Sequence, residues 1–414
     1  MPSLLLRQVR FLNPSAGVDQ VADALVVDGQ IIQTADCITE LPADTKEQDG
    51  RNLVLAPGLV DLYSHSSEPG AEEQETIVSL LRSAQAGGFV EVGILPNTQP
   101  PIDNSAIVSR IQELYQQAAA ELVTAPRLHI WGAITQGCAG EQLANFQDLA
   151  NSAVVGFTDA RSVQNPQLLH HLLEYLHPYS QPLMLWPLDR QLAGGGVARQ
   201  GAAALRLGLV SSPASSESTA VATILELVAA IGTPVHLMRI STERSVQLIT
   251  AAKQVGLPIT ASTTWLHLLG DTETLASYDP NWRLDPPLGN NSDRQALIQA
   301  VASGVIDAIA IDHHAHAYED KKVAFGLAPV GSIGLQIALP ILWEQLVKSG
   351  QLTAIQLWSA LSTKPAQCWR RPAPTTMILF DPTTSWEANA VNLLSRSDNT
   401  PWWKKNIPGQ VEVL

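Results

Sequence analysis

The feature that most constrains the fold is a repeated alternation of short apolar strands and amphipathic helices that begins at Leu59. Such repeats predict a parallel sheet with right-handed crossovers. Their number and length suit a (β/α)8 barrel better than an open sheet. No G-x-G-x-x-G motif opens a helix after the first strand, which counts against dinucleotide binding. The later predicted strands are Phe89–Leu95, Arg127–Trp131, Val154–Phe157, Pro182–Trp186, Pro234–Ile240, Pro258–Ser262 and Ala308–Ile311.

Both ends of the chain show strand patterns without long helices. Near the start, Asp28-Gly29 lies between two apolar runs, which is typical of a tight hairpin turn. We therefore expect a small β-sandwich domain made from residues 1–56 and 371–414, beside a barrel of residues 57–370. The alternative is two unrelated β-appendages. The predicted terminal strands are Ser3–Phe11, Ala24–Val27, Gln30–Thr34 and Met377–Phe380.

Charge and cysteine content narrow the class of protein. The net charge is −14, and no basic run is longer than Lys404-Lys405, which argues against binding to nucleic acid or to an anionic membrane. No apolar run reaches membrane-spanning length, and Leu4–Leu6 is too short for a signal peptide. The three cysteines are far apart, so neither a disulfide framework nor a cysteine zinc site is indicated. We expect a cytoplasmic protein.

Polar residues follow several predicted strands, where a barrel carries its chemistry. The segment Ala56–Gly70 has a Pro57-Gly58 turn that leads into an apolar strand and then reaches His65. At the end of the last predicted strand, Asp312-His313-His314-Ala315-His316 places three imidazoles beside a carboxylate. Taken alone, such a cluster indicates a zinc site.

These segments resemble the motifs of the dihydroorotase branch of the amidohydrolase superfamily. Ala56–Gly70 is similar to P-G-x-V-D-x-H-x-H-x-R-E-P-G, and Gly87–Pro100 to G-G-F-T-x-V-x-x-M-P-N-T-x-P. Gly156–Ala160 resembles F-[ST]-D-D-G, and Ile309–His316 resembles I-A-T-D-H-A-P-H. Further similar motifs occur in the same order over roughly residues 2–411. The resemblance implies an amidohydrolase-type TIM barrel with a β-sandwich.

The resemblance also implies a zinc-dependent hydrolase of cyclic amides in pyrimidine biosynthesis, with two zinc ions. It assigns Asp312 as metal ligand and general base, and it assigns Asn97 and His316 to substrate binding. His65, Asp159 and Asp312 are the metal-ligand candidates that remain. Which residue of the Asp pair in F-[ST]-D-D-G binds the metal is left open, and Asn97 could equally be a turn residue.

Several family residues are replaced. Tyr63, Trp186 and Arg239 stand at three histidine ligand positions. Indole nitrogen only donates, and a permanent cation repels zinc. Ser67 and Gly289 replace arginines, the first of which binds the substrate carboxylate. Leu188 and Leu266 replace a Glu and a further His.

Charge balance leads to a specific prediction about Arg239. If zinc is lost, the remaining acids repel one another, and a buried guanidinium must be paired. We expect Arg239 to pair with Asp312, with Asp159 and Asp61 as further candidates. The alternative is that Arg239 points to solvent without a partner.

Three functions are compatible with this pattern. The first is a non-catalytic dihydroorotase-like homo-oligomer that assembles with aspartate carbamoyltransferase, as such homologues do in some bacteria. The second is an active dihydroorotase, or another cyclic-amide hydrolase, with one metal. A small-molecule sensor is the third. We expect either no cofactor or a single weakly bound zinc ion.

Overall fold

A computed structural model of the protein describes residues 3–414. Its centre is a sheet of eight parallel strands in which neighbours in the chain are neighbours in the sheet. This order confirms the predicted barrel and excludes an open doubly wound sheet. Numbered in chain order, barrel strands 1 to 8 are Leu59–Ser64, Phe89–Ile94, Arg127–Gly132, Val154–Phe157, Leu183–Leu185, Val235–Leu237, Ile259–Thr264 and Ala308–Ala310.

The barrel closes at the end of strand 8. The backbone N–H of Asp312 donates to the carbonyl of Tyr63 at 3.1 Å, and that of His65 donates to the carbonyl of His313 at 2.8 Å. These bonds lie just past strands 1 and 8, so closure itself brings the two polar segments together.

Helices and short turns separate the strands. Many begin at a side chain that accepts hydrogen bonds from the first turn, as Thr76, Asn104 and Thr242 do. The α-helices are Ile77–Ala86, Ser105–Ala119, Phe146–Ala150, Pro166–Leu176, Arg190–Ala193, Ala202–Arg206, Ser215–Ile231, Glu243–Gln254, Trp265–Leu269, Asn291–Ser303, Tyr318–Lys321, Ala338–Leu342, Ala354–Trp358 and Lys364–Cys368. The 3-10 turns are Gln136–Cys138, Thr274–Ser277, Pro280–Trp282 and Phe325–Leu327, and the π-helical turns are Trp343–Val347 and Ser359–Thr363.

The two chain ends form a separate seven-stranded sheet. The predicted hairpin at Asp28-Gly29 is confirmed, since both residues have positive φ and the flanking strands pair antiparallel. Strand Asn406–Val413 was not predicted, because Pro408 and Gly409 interrupt its pattern. The strands are Ser3–Asn13, Val18–Val27, Gln30–Ala35, Lys46–Asp49, Val54–Pro57, Met377–Glu387 and Asn406–Val413, and a separate two-stranded pair joins Ala198–Arg199 to Ser211–Ser212.

Gly58 joins the terminal sheet to the barrel. Strand Val54–Pro57 belongs to the terminal sheet, strand 1 begins at Leu59, and only Gly58 separates them. The predicted Pro57-Gly58 turn is therefore wrong. A Cβ at Gly58 would lie 2.5 Å from the side chain of Val90, so close packing explains the glycine.

Apolar side chains fill much of the barrel interior beneath its mouth. This inner cluster includes Leu62, Trp131, Met184, Met238 and Trp369, all nearly or fully buried. A second, larger cluster packs the strands against the surrounding helices. Across residues 3–414, no helix is both long and apolar enough to cross a bilayer.

Candidate functional site

A cavity of about 180 Å³ opens at the carboxyl ends of the barrel strands, where barrels of this type carry their chemistry. We call it the mouth cavity. Its wall brings together residues at or just beyond the ends of six strands: His65, Ala160, Trp186, Arg239, Thr264 and Asp312.

Three residues of this wall have an unusual backbone. Ala160, Arg239 and Asp312 follow strands 4, 6 and 8 and have φ values of 55°, 57° and 51°. Residues other than glycine seldom adopt this left-handed conformation, and those that do concentrate at binding and catalytic sites.

Arg239 and Asp312 form a two-pronged ion pair in the floor of the mouth cavity. Nε of Arg239 donates to Oδ2 of Asp312 at 2.8 Å, and Nη2 donates to Oδ1 at 2.6 Å. Their side chains are 5% and 17% exposed. Burial alone would raise the pKa of Asp312, but the positive charge of Arg239 holds it well below its usual range. The predicted pairing of Arg239 with Asp312 is confirmed.

Asp61, a second candidate partner of Arg239, forms its hydrogen bonds with other groups. Asp61 accepts hydrogen bonds from the backbone N–H of Ile311 at 2.8 Å and from the hydroxyl of Ser64 at 2.5 Å. Burial raises the pKa of Asp61 to about 7. Its carboxyl group thus fastens strand 1 to strand 8.

His65 lines the cavity, but its Nε2, the nitrogen nearest to Asp312, is hydrogen-bonded to the guanidinium of Arg239. Nη2 of Arg239 lies 3.0 Å from Nε2 of His65. Because arginine only donates, Nε2 accepts, and Nδ1–H then donates to Oδ1 of Asn97 at 3.2 Å. Burial lowers the pKa of His65 and favours this neutral form. Asn97, expected to bind substrate, therefore orients His65.

Tyr63 closes the floor with a chain of hydrogen bonds. Its hydroxyl oxygen accepts from the backbone N–H of Arg239 at 3.2 Å and lies 3.2 Å from the hydroxyl of Ser262. The Ser262 hydroxyl in turn lies 2.8 Å from Nε2 of His236. Burial lowers the pKa of His236 to about 3, so this histidine is a neutral, hydrogen-bonded part of the core.

Trp186 fills the cavity wall between two arginines. The guanidinium carbons of Arg239 and Arg190 each lie 4.5 Å from its ring centroid, which is cation–π distance. Arg190 also donates to Asp285 at 2.5 Å. An aromatic ring and a guanidinium thus stand where the resemblance implies imidazole ligands.

The carboxylate of Asp159 is used by hydrogen bonds to a neighbouring loop. Oδ1 of Asp159 accepts from the backbone N–H groups of Ile134 and Thr135 at 2.8 and 2.9 Å, and Oδ2 accepts from the Thr135 hydroxyl at 2.5 Å. The residue that lines the mouth cavity is Ala160. The geometry therefore does not support Asp159 as a metal ligand, and the position that faces the cavity carries only a methyl group.

We expect the replacement of Asp159 by asparagine to lower the free energy of unfolding by about 1–3 kcal/mol, because an amide cannot accept all three hydrogen bonds. Urea denaturation in the presence of EDTA measures this loss without any metal contribution. The same change at Asp44, exposed in a turn, is the matched control and should have almost no effect. If the two variants have the same free energy of unfolding, the hydrogen bonds to the Asp159 carboxylate do not stabilise the fold.

The histidines of the last motif serve different structural roles. Nε2 of His316 donates to the carbonyl of Val330 at 2.7 Å, and burial lowers the pKa of His316 to about 4. Nε2 of His313 donates to Glu75 at 3.1 Å. The ring of His314 stacks on that of His65 with centroids 3.9 Å apart. As placed, the His316 ring supports the loop that contains Val330.

Sequence reasoning missed three basic residues that line the mouth cavity, Arg161, Arg190 and His314. A signal was present for two of them, because Arg161 stands at the glycine of F-[ST]-D-D-G and His314 at the alanine of I-A-T-D-H-A-P-H. It also missed Lys321, whose buried ammonium donates to the carbonyls of Pro280, Pro329 and Gly331 at 3.2, 2.7 and 2.6 Å.

The side chains at the mouth do not fit the two zinc ions that the resemblance implies. Within residues 3–414, no three His, Cys, Asp or Glu side chains are arranged to hold a metal ion. His65 and Asp312 do come together, but the Arg239 guanidinium contacts both. A permanent cation at that point repels a metal ion.

Comparisons with known proteins agree with the motifs. The family model described as "Dihydro-orotase-like" matches residues 51–245. A "Probable dihydroorotase-like protein" of Synechocystis sp. is 43% identical, with 98% of this chain and 97% of that protein aligned. A "Dihydroorotase" of Anaeromyxobacter dehalogenans is 36% identical, over 98% of this chain and 95% of that one.

Among solved structures, L-hydantoinase from Arthrobacter aurescens superposes with a TM-score of 0.84 at 19% identity, covering 100% of this chain and 95% of that one. At that identity the match supports the barrel and the accessory sheet alone. The two sequence relatives align with almost the whole chain. The chain therefore belongs to the dihydroorotase family of the amidohydrolase superfamily.

Proposed function

We propose that this chain is a non-catalytic member of the dihydroorotase family that serves as an assembly partner of aspartate carbamoyltransferase. The observation that supports the absence of catalysis is the buried Arg239–Asp312 pair. It uses the residue expected to act as general base and fills the space between the expected ligands. Asp312 is therefore not free to take a proton from a nucleophilic water.

The rest of the mouth supports the same conclusion. Tyr63, Ala160 and Trp186 offer no imidazole or carboxylate, and Ser67 and Gly289 offer no guanidinium to a substrate carboxylate. We propose that no cofactor, or at most one weakly held zinc ion, binds there. The complete barrel and terminal sheet persist beside this altered mouth, which favours a role for the outer surface.

The partner is inferred from the family resemblance, in which non-catalytic homologues hold carbamoyltransferase subunits together. The test is co-expression of the tagged chain with the aspartate carbamoyltransferase of the same genome. We expect the two to co-elute in a fixed ratio, and light scattering should give the mass of a complex that contains several copies of each. Unrelated trimeric enzymes of similar size serve as the control. Separate elution with both proteins at about 10 μM, a concentration at which a stable complex persists, contradicts the partnership.

The second candidate is an active cyclic-amide hydrolase with one metal. The observation in its favour is the 36% identity to a protein named dihydroorotase. Turnover assays described in the Discussion separate it from the first.

A further inference from the structure

Replacement at the mouth has added groups as well as removed them. Arg161 and His314 line the mouth cavity at positions where the family motifs have glycine and alanine. Arg161 is exposed and His314 is half-buried, so neither belongs to the buried core. Loss of catalytic residues alone does not explain why two polar side chains have been added at the same opening.

The cavity carries an excess of positive charge although the chain is acidic. Three arginines and two aspartates line it, in a protein of net charge −14. Arg239 pairs with Asp312, and Arg190 pairs with Asp285. Throughout residues 3–414, Arg161 has no carboxylate partner and no side-chain hydrogen bond.

The cavity is also rich in unused donors. Arg190 uses only Nη1 toward Asp285, so its other N–H groups have no protein acceptor within the described chain. The ring nitrogens of His314 form no hydrogen bond with the described protein, although the ring stacks on that of His65 and packs at a tilt against that of His316. In either protonation state the imidazole ring carries at least one N–H.

We propose that the mouth cavity binds a small anion, a carboxylate or a phosphate, through Arg161, Arg190 and His314. Arginine forks match both groups, and such charge-assisted hydrogen bonds are among the strongest in proteins. The cavity, about 180 Å³ in volume, is large enough for a small anion.

This site differs from the one implied by the family motifs, which relies on arginines at the positions of Ser67 and Gly289. It requires neither catalysis nor assembly, so it can be tested by binding alone. A result that rules out anion binding would not affect the proposed assembly role. A result that rules out the assembly role would likewise not affect the proposed anion site.

The experiment is isothermal titration calorimetry of the full chain at low salt with inorganic phosphate, benzoate and benzamide. Benzamide has the shape of benzoate without its charge. We expect at least one of the two anions to bind with a Kd of about 1 mM or tighter, and benzamide to bind at least about tenfold more weakly than benzoate if benzoate is the preferred anion. The anion that binds more tightly shows whether the cavity prefers a phosphate or a carboxylate.

Variants assign the binding to the new residues. Arg161→Gln should weaken the bound anion about tenfold or more, and His314→Ala, which restores the family residue, should weaken it by a smaller factor. Arg127→Gln is the matched control, since Arg127 is also exposed but lies at the opposite end of strand 3. Thermal melting of each variant verifies folding. Failure of both anions to bind, or equal binding to wild type and Arg161→Gln, overturns the proposal.

Discussion

Replacing Arg239 by methionine should lower the free energy of unfolding by about 3–5 kcal/mol, the cost of leaving one member of a buried ion pair without its partner. Asp312 would keep only its contact with His65, at 3.4 Å. The loss also includes the stacking of the guanidinium on Trp186. Urea denaturation at pH 7 measures the effect, provided that the slope with denaturant stays constant.

Two further variants make this result specific. In the double variant Arg239→Met/Asp312→Leu no charge is left buried, so most of the lost stability should return. The matched control is Arg190→Met, because Arg190 lies equally close to Trp186 but its side chain is 42% exposed in its pair with Asp285. A rim pair of this kind contributes less than about 1 kcal/mol. If Arg239→Met costs no more than Arg190→Met, Arg239 does not replace the charge of a metal.

The difference between wild type and Arg239→Met should depend on pH. In the wild type the pKa of Asp312 is depressed, so the stabilisation is present above the unfolded value of about 3.9 and is lost as pH falls below it. Without Arg239, burial raises the pKa of Asp312, and protonation relieves the variant on acidification. We therefore expect the gap in unfolding free energy to narrow between pH 7 and pH 4.

The purified protein should not hydrolyse dihydroorotate at a measurable rate. Activation of the nucleophile and positioning of the substrate have both been removed from the mouth, and each loss costs about 10²-fold or more. Asp312, the remaining base candidate, is held by Arg239 at 2.6 and 2.8 Å. We expect no turnover above the uncatalysed rate with zinc, cobalt or manganese added.

The assay includes an intact dihydroorotase as the positive control and Asp312→Ala as the matched variant. Turnover by the wild-type chain that disappears in Asp312→Ala would restore the active single-metal hydrolase and remove the non-catalytic proposal. Turnover that persists in Asp312→Ala would instead indicate a contaminating enzyme.

The barrel could be predicted because its signals are local. Apolar runs, turn residues and helix periodicity occur within each βα unit, and together they imply parallel strands. Errors arose where the local pattern is broken. Strand Met377–Glu387 continues past the predicted end at Phe380 because a bulge between Asp381 and Ser385 absorbs Pro382. The short elements between Arg190 and Ser212 had no periodic signal of their own.

The candidate site divides in the same way. The resemblance of motifs implied that Tyr63, Trp186 and Arg239 stand at family ligand positions, and charge balance was sufficient to predict the pairing of Arg239 with Asp312. Both inferences need only the identity of residues and the rule that buried charge must be compensated.

What only the tertiary structure decided is the direction of side chains past the strand ends. Asp159 and Ala160 are adjacent, yet the first binds backbone amides of Ile134 and Thr135 and the second faces the mouth cavity, with φ of 55°. No sequence period records this left-handed backbone at Ala160. The convergence of Arg161, Arg190 and His314 likewise depends on barrel closure, which brings residues far apart in the chain to one opening.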